Sequence, residues 1–330
     1  MSGIGGVTPV RVALAGCGTV GGALLDLLAT HGEAIASQRG MRFEVVRILA
    51  RNADRPRSVA MNRALVTSCV AEFSGTPADV VVEAIGGTQP AEAIARAALT
   101  RGQGLVTANK ALLRAHGSAL AALARAQSTP GAALRFEAAV GGGVPVVRLL
   151  RDALAGHGVQ SVRGVLNGTT NFIVTRIERG ASYAEALDAA RRAGFAEADP
   201  SRDLNGTDAA DKIAVLAWLA FGVDPERVAV ETCGLPDDLE RAVRDAKAAG
   251  GALRLVAEVR RSADGIVASV QPIQLERSDP LAAARDEENI IQIASASSGT
   301  ITLGGRGAGG AATAASLLAD LIHLYQPRHS

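Results

Sequence analysis

The sequence predicts an α/β fold in which a doubly wound parallel sheet is followed by a second, α+β domain. Three observations predict it. Over the first 140 residues, short β-branched runs alternate with alanine-rich helical stretches, the pattern of parallel strands joined by crossover helices. A glycine-rich turn, Gly16-Cys-Gly-Thr-Val-Gly21, follows the first of those runs directly. Beyond about residue 140 helical patterns dominate as far as about 249, and turn-linked strand-like runs come after them. The chain is expected to divide at 1–140, 141–305 and 306–330, the last piece being a helix that returns to the first domain.

Taken in order, strands are expected over 10–15, 43–49, 79–83, 104–107 and 134–137, with a helix over 20–29 opened by the glycine turn. Pro90 suits the first position of the helix after the third strand, where its missing N–H costs nothing. In the second half, Ser182-Tyr-Ala-Glu185 is a capping box, and Asp224-Pro225 reads as an N-cap followed by an N1 proline. Strand-like runs over 253–259, 265–270 and 289–293 have only turns between them, which predicts antiparallel pairing. A glycine cluster from Gly304 to Gly310 leads into a last helix over 311–325.

Composition narrows the function. A chain of 330 residues, 48% hydrophobic, is long enough for two cores. Its 34 basic and 33 acidic residues nearly cancel, and no basic block with interleaved aromatics is present to follow a nucleic-acid backbone. Nucleic acid is excluded as a partner. Cys17, Cys69 and Cys233 are odd in number and widely spaced, so neither a disulfide framework nor a zinc site is indicated. No cationic leader or long uninterrupted apolar stretch stands in the sequence, and a cytoplasmic protein without a membrane partner is expected.

Gly16-Cys-Gly-Thr-Val-Gly21 is a GxGxxG turn between a strand and a helix, which makes the first domain Rossmann-type. Gly16 permits the tight turn, Gly18 lets a pyrophosphate approach the backbone, and Gly21 lets helix and strand pack. Thr19 and Val20 then open the helix whose N-terminus faces the phosphates. A glycine turn needed only for packing is the plainer alternative.

The second strand ends Leu49-Ala-Arg51-Asn52, without the acid that would bind a ribose 2′-hydroxyl. Arg51 can pair with a 2′-phosphate, which favours NADP; read as a solvated surface arginine, it leaves NAD open. Gly86, Gly87 and Thr88 follow the third strand, and Lys110 follows the fourth. Both segments belong at the sheet edge where ligands bind. Lys110 can meet a substrate carbonyl or a cofactor phosphate, although a helix-starting surface lysine has the same sequence context.

In the second domain, Asp208 and Lys212 stand one helical turn apart, just before the apolar run Ile213-Ala-Val-Leu-Ala-Trp-Leu-Ala220. A surface ion pair, at a few tenths of a kcal/mol, is the plain account. Glu197, Asp199, Asp203 and Asp211 crowd the same stretch, and several acids beside one lysine could hold an ammonium while the lysine relays a proton.

Several motifs together resemble the homoserine dehydrogenase family in order and spacing. They are Gly16-Cys-Gly-Thr-Val-Gly21, Thr107-Ala-Asn-Lys110, Phe136-Glu-Ala-Ala-Val-Gly-Gly-Gly-Val-Pro145, Gly164-Val-Leu-Asn-Gly-Thr-Thr-Asn-Phe172, and Gly194-Phe-Ala-Glu-Ala-Asp-Pro200 through Lys212. The resemblance implies NAD(P)-dependent interconversion of L-aspartate 4-semialdehyde and L-homoserine, in the biosynthesis of threonine and methionine. It implies Glu197 and Asp208 as substrate-binding acids, Lys212 as proton donor and Lys110 as second active-site lysine. Gly194 and Gly309 match glycines that contact the cofactor. Glu137, Val140, Gly142 and Val144 match a structural sodium site of backbone carbonyls. The second domain is then a substrate-binding and dimerisation domain, and a homodimer is expected. Many bacterial members carry a C-terminal ACT domain and some an aspartokinase segment; neither pattern stands in this sequence, so a monofunctional enzyme without threonine feedback through an ACT domain is expected.

Overall fold

The computed structural model describes residues 7–52, 62–129 and 131–326, so the outer ends of the segments expected at 1–140 and 306–330 lie outside the described residues. The chain forms two compact units, one comprising residues 1–139 and 310–330, the other 140–309.

The first unit is built on six strands: β1 (Thr8–Ala15), β2 (Met41–Leu49), β3 (Val66–Thr67), β4 (Val80–Glu83), β5 (Gly104–Thr107) and β6 (Leu134–Arg135). Their order is β3-β2-β1-β4-β5-β6, and every pair is parallel. Chain direction along the sheet reverses between β1 and β4, the switch point where an open α/β sheet leaves a crevice at its carboxyl edge. Val12, Leu14, Val80, Val82 and Val106 are buried in these strands because helices cover both faces. The helix Thr19–Arg39 runs well past the span expected from sequence and ends at Gly40 in a left-handed cap. Pro90 stands at the N-cap of the helix Ala91–Thr100 rather than at its first position, a one-residue shift at a boundary where the chain is only half helical. The helix Gly310–Tyr325 completes this unit, with Leu317 and Leu321 packed into the cluster that holds Leu14 and Leu24, and the Tyr325 hydroxyl donating to the Asp79 carbonyl at 2.8 Å.

The second unit also has a six-stranded sheet: β7 (Val159–Val165), β8 (Val230–Thr232), β9 (Ala252–Ser262), β10 (Gly265–Leu275), β11 (Glu288–Ser295) and β12 (Gly299–Arg306). The order is β12-β11-β7-β9-β10-β8; the pairs are antiparallel apart from β10 with β8. Three of these strands depart from the sequence expectation. β7 and β8 lie in the stretch read as helical, and β12 takes in Gly304 and Gly305 of the glycine cluster expected to lead into the last helix. Consequently the second unit closes at Gly309, after the strand and its turn, rather than at 305. Pro272 is tolerated inside β10 because β8 pairs only as far as Val270, leaving the proline on an open edge. The helix Thr207–Phe221 lies against β7, β9 and β10 and buries Ile213, Val215 and Leu216. Ser182 and Glu185 form the capping box of Tyr183–Arg192, and Asp224 caps the single 3₁₀ turn Pro225–Arg227. Among the described residues no helix is long and apolar enough to cross a membrane.

Candidate active site

A cleft of about 1070 Å³ opens at the carboxyl edge of the first sheet, lined by Gly16, Gly18, Thr19, Arg51 and Gly86 together with the start of the last helix at Gly310. The glycine turn explains its floor. Gly16 has φ +100°, its N–H donates to the Leu49 carbonyl at 2.9 Å, and a Cβ there would meet the Ala84 carbonyl oxygen at 2.6 Å. A Cβ on Gly21 would lie 2.0 Å from the Gly16 oxygen, so this glycine serves packing, whereas Gly18 has nothing within 4 Å of its would-be Cβ and leaves the floor open. The helix starts at Gly18 with no side-chain cap, so its first N–H groups remain available to an anion in the cleft. The residues therefore fit a dinucleotide. Val20 is half buried against the core cluster, while Arg51 and Asn52, at the end of β2, lie exposed on the cleft wall with no acid beside them in the strand-end sequence Leu49-Ala-Arg51-Asn52.

Two loops leave β4 and β5 side by side. The first holds Gly86 and Gly87, with φ +82° and +71°, and then Thr88, whose carbonyl accepts from Glu92 N at 2.8 Å as the next helix begins. The second holds Asn109, which caps the helix Lys110–Arg125 by accepting from Leu112 N at 3.0 Å, and so places Lys110 at the first helical position. Wholly buried Glu83 joins the loops: it accepts from Thr107 Oγ1 at 2.5 Å and from Ile85 N at 2.8 Å. Burial raises its pKa, against the pull of these donors.

In the second unit, Lys212 Nζ lies 2.7 Å from Asp208 Oδ2, and the two side chains are only 12% and 10% exposed. Lys212 also donates to the Leu166 carbonyl at 2.7 Å. Asn167, the N-cap of the helix Gly168–Glu178, donates through its amide to Asp208 at 2.9 Å and to Asp203 at 2.6 Å. The surface-pair account of Asp208 and Lys212 is thereby overturned, since a helix packed on the sheet carries them inward. Glu197 stands exposed between the helices Tyr183–Arg192 and Ser201–Leu204, outside that buried network. Asp199 is a local cap: Ser201 N donates to it at 3.0 Å, and this bond lowers its pKa. Asp211 pairs with Arg202 at 2.8 Å.

Gly194, at φ +75°, follows the end of the helix Tyr183–Arg192, and its N–H donates to the Arg191 carbonyl; the left-handed turn there requires glycine whatever else the residue does. Gly309 has φ +108° just before the last helix, where a Cβ on Gly310 would meet Thr19 Cγ2 at 2.8 Å. Of the residues matched to a sodium site, Glu137 belongs to the first unit and Val140, Gly142 and Val144 to the second. The loop carrying the latter three is held by Gly143 N donating to the Arg306 carbonyl at 2.9 Å and Val144 N to that of Gly141 at 2.9 Å. Among the described residues no group of three or more His, Cys, Asp and Glu is arranged to hold a metal. Sequence reasoning gave no role to Glu83 or to Asn167. The signal for Glu83 was an acid closing the otherwise apolar run of β4; for Asn167 it was an N-cap residue preceding a helix that is buried all round.

A family model described as homoserine dehydrogenase matches residues 145–322, and one described as the homoserine dehydrogenase NAD binding domain matches 16–133. The chain belongs to the homoserine dehydrogenase family. The homoserine dehydrogenase of Corynebacterium glutamicum is 38% identical over 319 residues, covering 95% of this chain and 71% of the relative. An NAD(+)-dependent homoserine dehydrogenase of Pseudomonas canavaninivorans is 34% identical over 357 residues and is covered, like this chain, to 97%. A crystal structure of a homoserine dehydrogenase from Thiobacillus denitrificans superposes with a TM-score of 0.86 at 33% identity, over 97% of this chain and 74% of that one. As a homoserine dehydrogenase the chain is an oxidoreductase, and its parallel-sheet unit is the family's NAD-binding domain.

Proposed function

We propose that this enzyme interconverts L-aspartate 4-semialdehyde and L-homoserine with NADP preferred over NAD, in the biosynthesis of threonine and methionine, and that Lys212 is its proton donor. The observation that carries the reading is the buried Lys212–Asp208 pair with Asn167 behind it. An ammonium held at the foot of an apolar helix is placed for chemistry, because a purely structural pair gains little from burial.

A bound nicotinamide cofactor supplies or accepts the hydride. The Gly16–Gly21 turn and the uncapped helix start receive its pyrophosphate, with Gly86, Gly87 and Thr88 beside the nicotinamide end and Gly194 and Gly309 as further backbone contacts. Arg51, with no acid at the end of β2, supports pairing with a 2′-phosphate. In the reducing direction Lys212 donates a proton to the carbonyl oxygen as charge builds there, and in oxidation it takes the proton back. Lys110 is the second lysine of this chemistry. Asp208 and Glu197 anchor the amino acid's ammonium and hydroxyl ends, and the Asn167 amide, which donates to both Asp208 and Asp203, fixes the orientation of Asp208.

A structural sodium ion on carbonyls of Glu137, Val140, Gly142 and Val144, a homodimer joined through the second sheet, and a reducing cytoplasmic setting belong to the same reading. The test is direct: purified protein is mixed with L-homoserine and NADP at alkaline pH and nicotinamide absorbance is followed. Absence of reduction with both NADP and NAD would sink the proposal.

A further inference from the structure

Glu83 closes β4 with no exposed surface at all, and the chemistry above gives it no task. A carboxylate at such a place is costly unless donors meet both oxygens. Here they do. Thr107 Oγ1 donates to Oε2 at 2.5 Å, while Oε1 receives Ile85 N at 2.8 Å, Gly86 N at 3.4 Å and Asn109 Nδ2 at 3.3 Å. Thr107 Oγ1 also accepts from Asn109 N at 3.0 Å, which leaves its single proton for Glu83. Every neighbour therefore donates, so the carboxylate, once ionised, has a donor for each oxygen, and burial rather than any missing partner is what raises its pKa.

The Asn109 amide links this carboxylate to both loops. Its nitrogen also donates to the Gly87 carbonyl at 2.6 Å, and its oxygen accepts from Leu112 N at 3.0 Å. Orientation of that amide is thus set by Glu83, and with it both the path of Gly86–Gly87 and the first turn of the helix that begins at Lys110. A side chain needed only to fill the strand end would require no charge and no such set of donors.

We propose that Glu83 is a positioning residue: through Thr107 and Asn109 its buried carboxylate fixes the Gly86–Gly87 backbone for the nicotinamide end of the cofactor and holds Lys110 at its helix start. The assignment rests on the function proposed above. It is tested with the full chain as wild type, Glu83→Gln, Thr107→Val, Thr107→Ser and the Glu83→Gln/Thr107→Val double variant. NADPH affinity is measured by fluorescence, homoserine oxidation by absorbance, and folding by thermal unfolding. Glu83→Gln and Thr107→Val are expected to lower kcat roughly 10- to 100-fold, the scale of a small misplacement, and to leave KM for homoserine within about threefold. They weaken NADPH binding about tenfold, or 1.4 kcal/mol. Thr107→Ser, which keeps the hydroxyl, restores both quantities, and the double variant is no worse than the poorer single variant because one network is lost once. Wild-type kcat and NADPH affinity in Glu83→Gln, or a Thr107→Ser enzyme no better than Thr107→Val, overturns the assignment; if Glu83→Gln does not fold, the Thr107 pair decides. A wild type that binds NADPH but oxidises no homoserine refutes the earlier reading instead, and the NADPH constants of the variants then decide the role of Glu83.

Discussion

Lys212 and Asp208 lie one turn apart on the helix Thr207–Phe221 with Nζ and Oδ2 separated by 2.7 Å, and the lysine's second bond goes to the Leu166 carbonyl. The ammonium is held by a carboxylate and a backbone oxygen, so its position is fixed before any substrate arrives. Lys212→Ala is expected to lower kcat by roughly 10²- to 10⁴-fold, the range for loss of a general acid, while NADPH affinity stays at the wild-type value. Fluorescence titration beside steady-state assays checks this. Loss of the folded state, seen by circular dichroism, would make the pair structural.

Gly18 and Gly21 should respond to alanine in opposite ways. Nothing lies within 4 Å of a Cβ on Gly18, whereas a Cβ on Gly21 would meet the Gly16 oxygen at 2.0 Å. Gly18→Ala is expected to fold normally and lose NADPH affinity by at least about tenfold. Gly21→Ala is expected to lose about 1–3 kcal/mol of stability or more, because backbone must move to admit it. Equal melting temperatures for the two variants would contradict this division of labour.

In the proposed reading Arg51 is the lever on cofactor choice. Arg51→Asp places a carboxylate at the end of β2, where it would bind a ribose 2′-hydroxyl and repel a 2′-phosphate. The ratio of kcat/KM with NADP to that with NAD should fall by about tenfold or more. An unchanged ratio would remove Arg51 from the cofactor site.

Two carboxylates give opposite pH signatures. Burial raises Glu83 above the ordinary glutamate value of 4.5, so its contribution to stability is fully present below pH 4.5 and is lost as pH rises through the folded value. Hydrogen bonds from Arg11 hold Asp79 below 3.8, so its contribution is present above that pH and is lost as pH falls through the folded value. Calorimetry across pH should find the melting temperature of wild type minus that of Glu83→Gln decreasing from pH 4.5 upward. The wild type's advantage over Asp79→Asn should instead shrink on acidification. A pH-independent difference for either variant would contradict its assigned shift.

The proposed homodimer has a simple check. Light scattering on the purified chain should give twice the 33.6 kDa chain mass at micromolar concentration. A mass of one chain would remove the dimer from the reading.

Much of the first unit was legible because buried parallel strands must be apolar runs and their crossover helices must carry caps and glycines. The strands that went unseen show where that logic stops. β7, Val159-Gln-Ser-Val-Arg-Gly-Val165, mixes polar and apolar residues without strict alternation, so no period-2 pattern marks it as a strand. β12 contains three glycines and lies at a sheet edge, where pairing with β11 rather than side-chain burial holds it extended. In the site, Asp208 and Lys212 could be set on one helix face from their spacing, but not their burial, which depends on the sheet beneath. Asn167 and Glu83 act through hydrogen bonds to residues 24 or more positions away, and no local pattern reports such partners.

The last helix, Gly310–Tyr325, belongs to the same unit as β1, so the second unit is inserted between two parts of the first. On the ribosome this sets an order of events. Leu14 and Leu24 emerge early yet wait for Leu317 and Leu321, while the inserted unit has all of its strands and can finish first. The nucleotide-binding half of the enzyme is therefore the last to mature, and a nascent chain stalled before residue 310 would carry a finished second unit beside an apolar surface still lacking its lid.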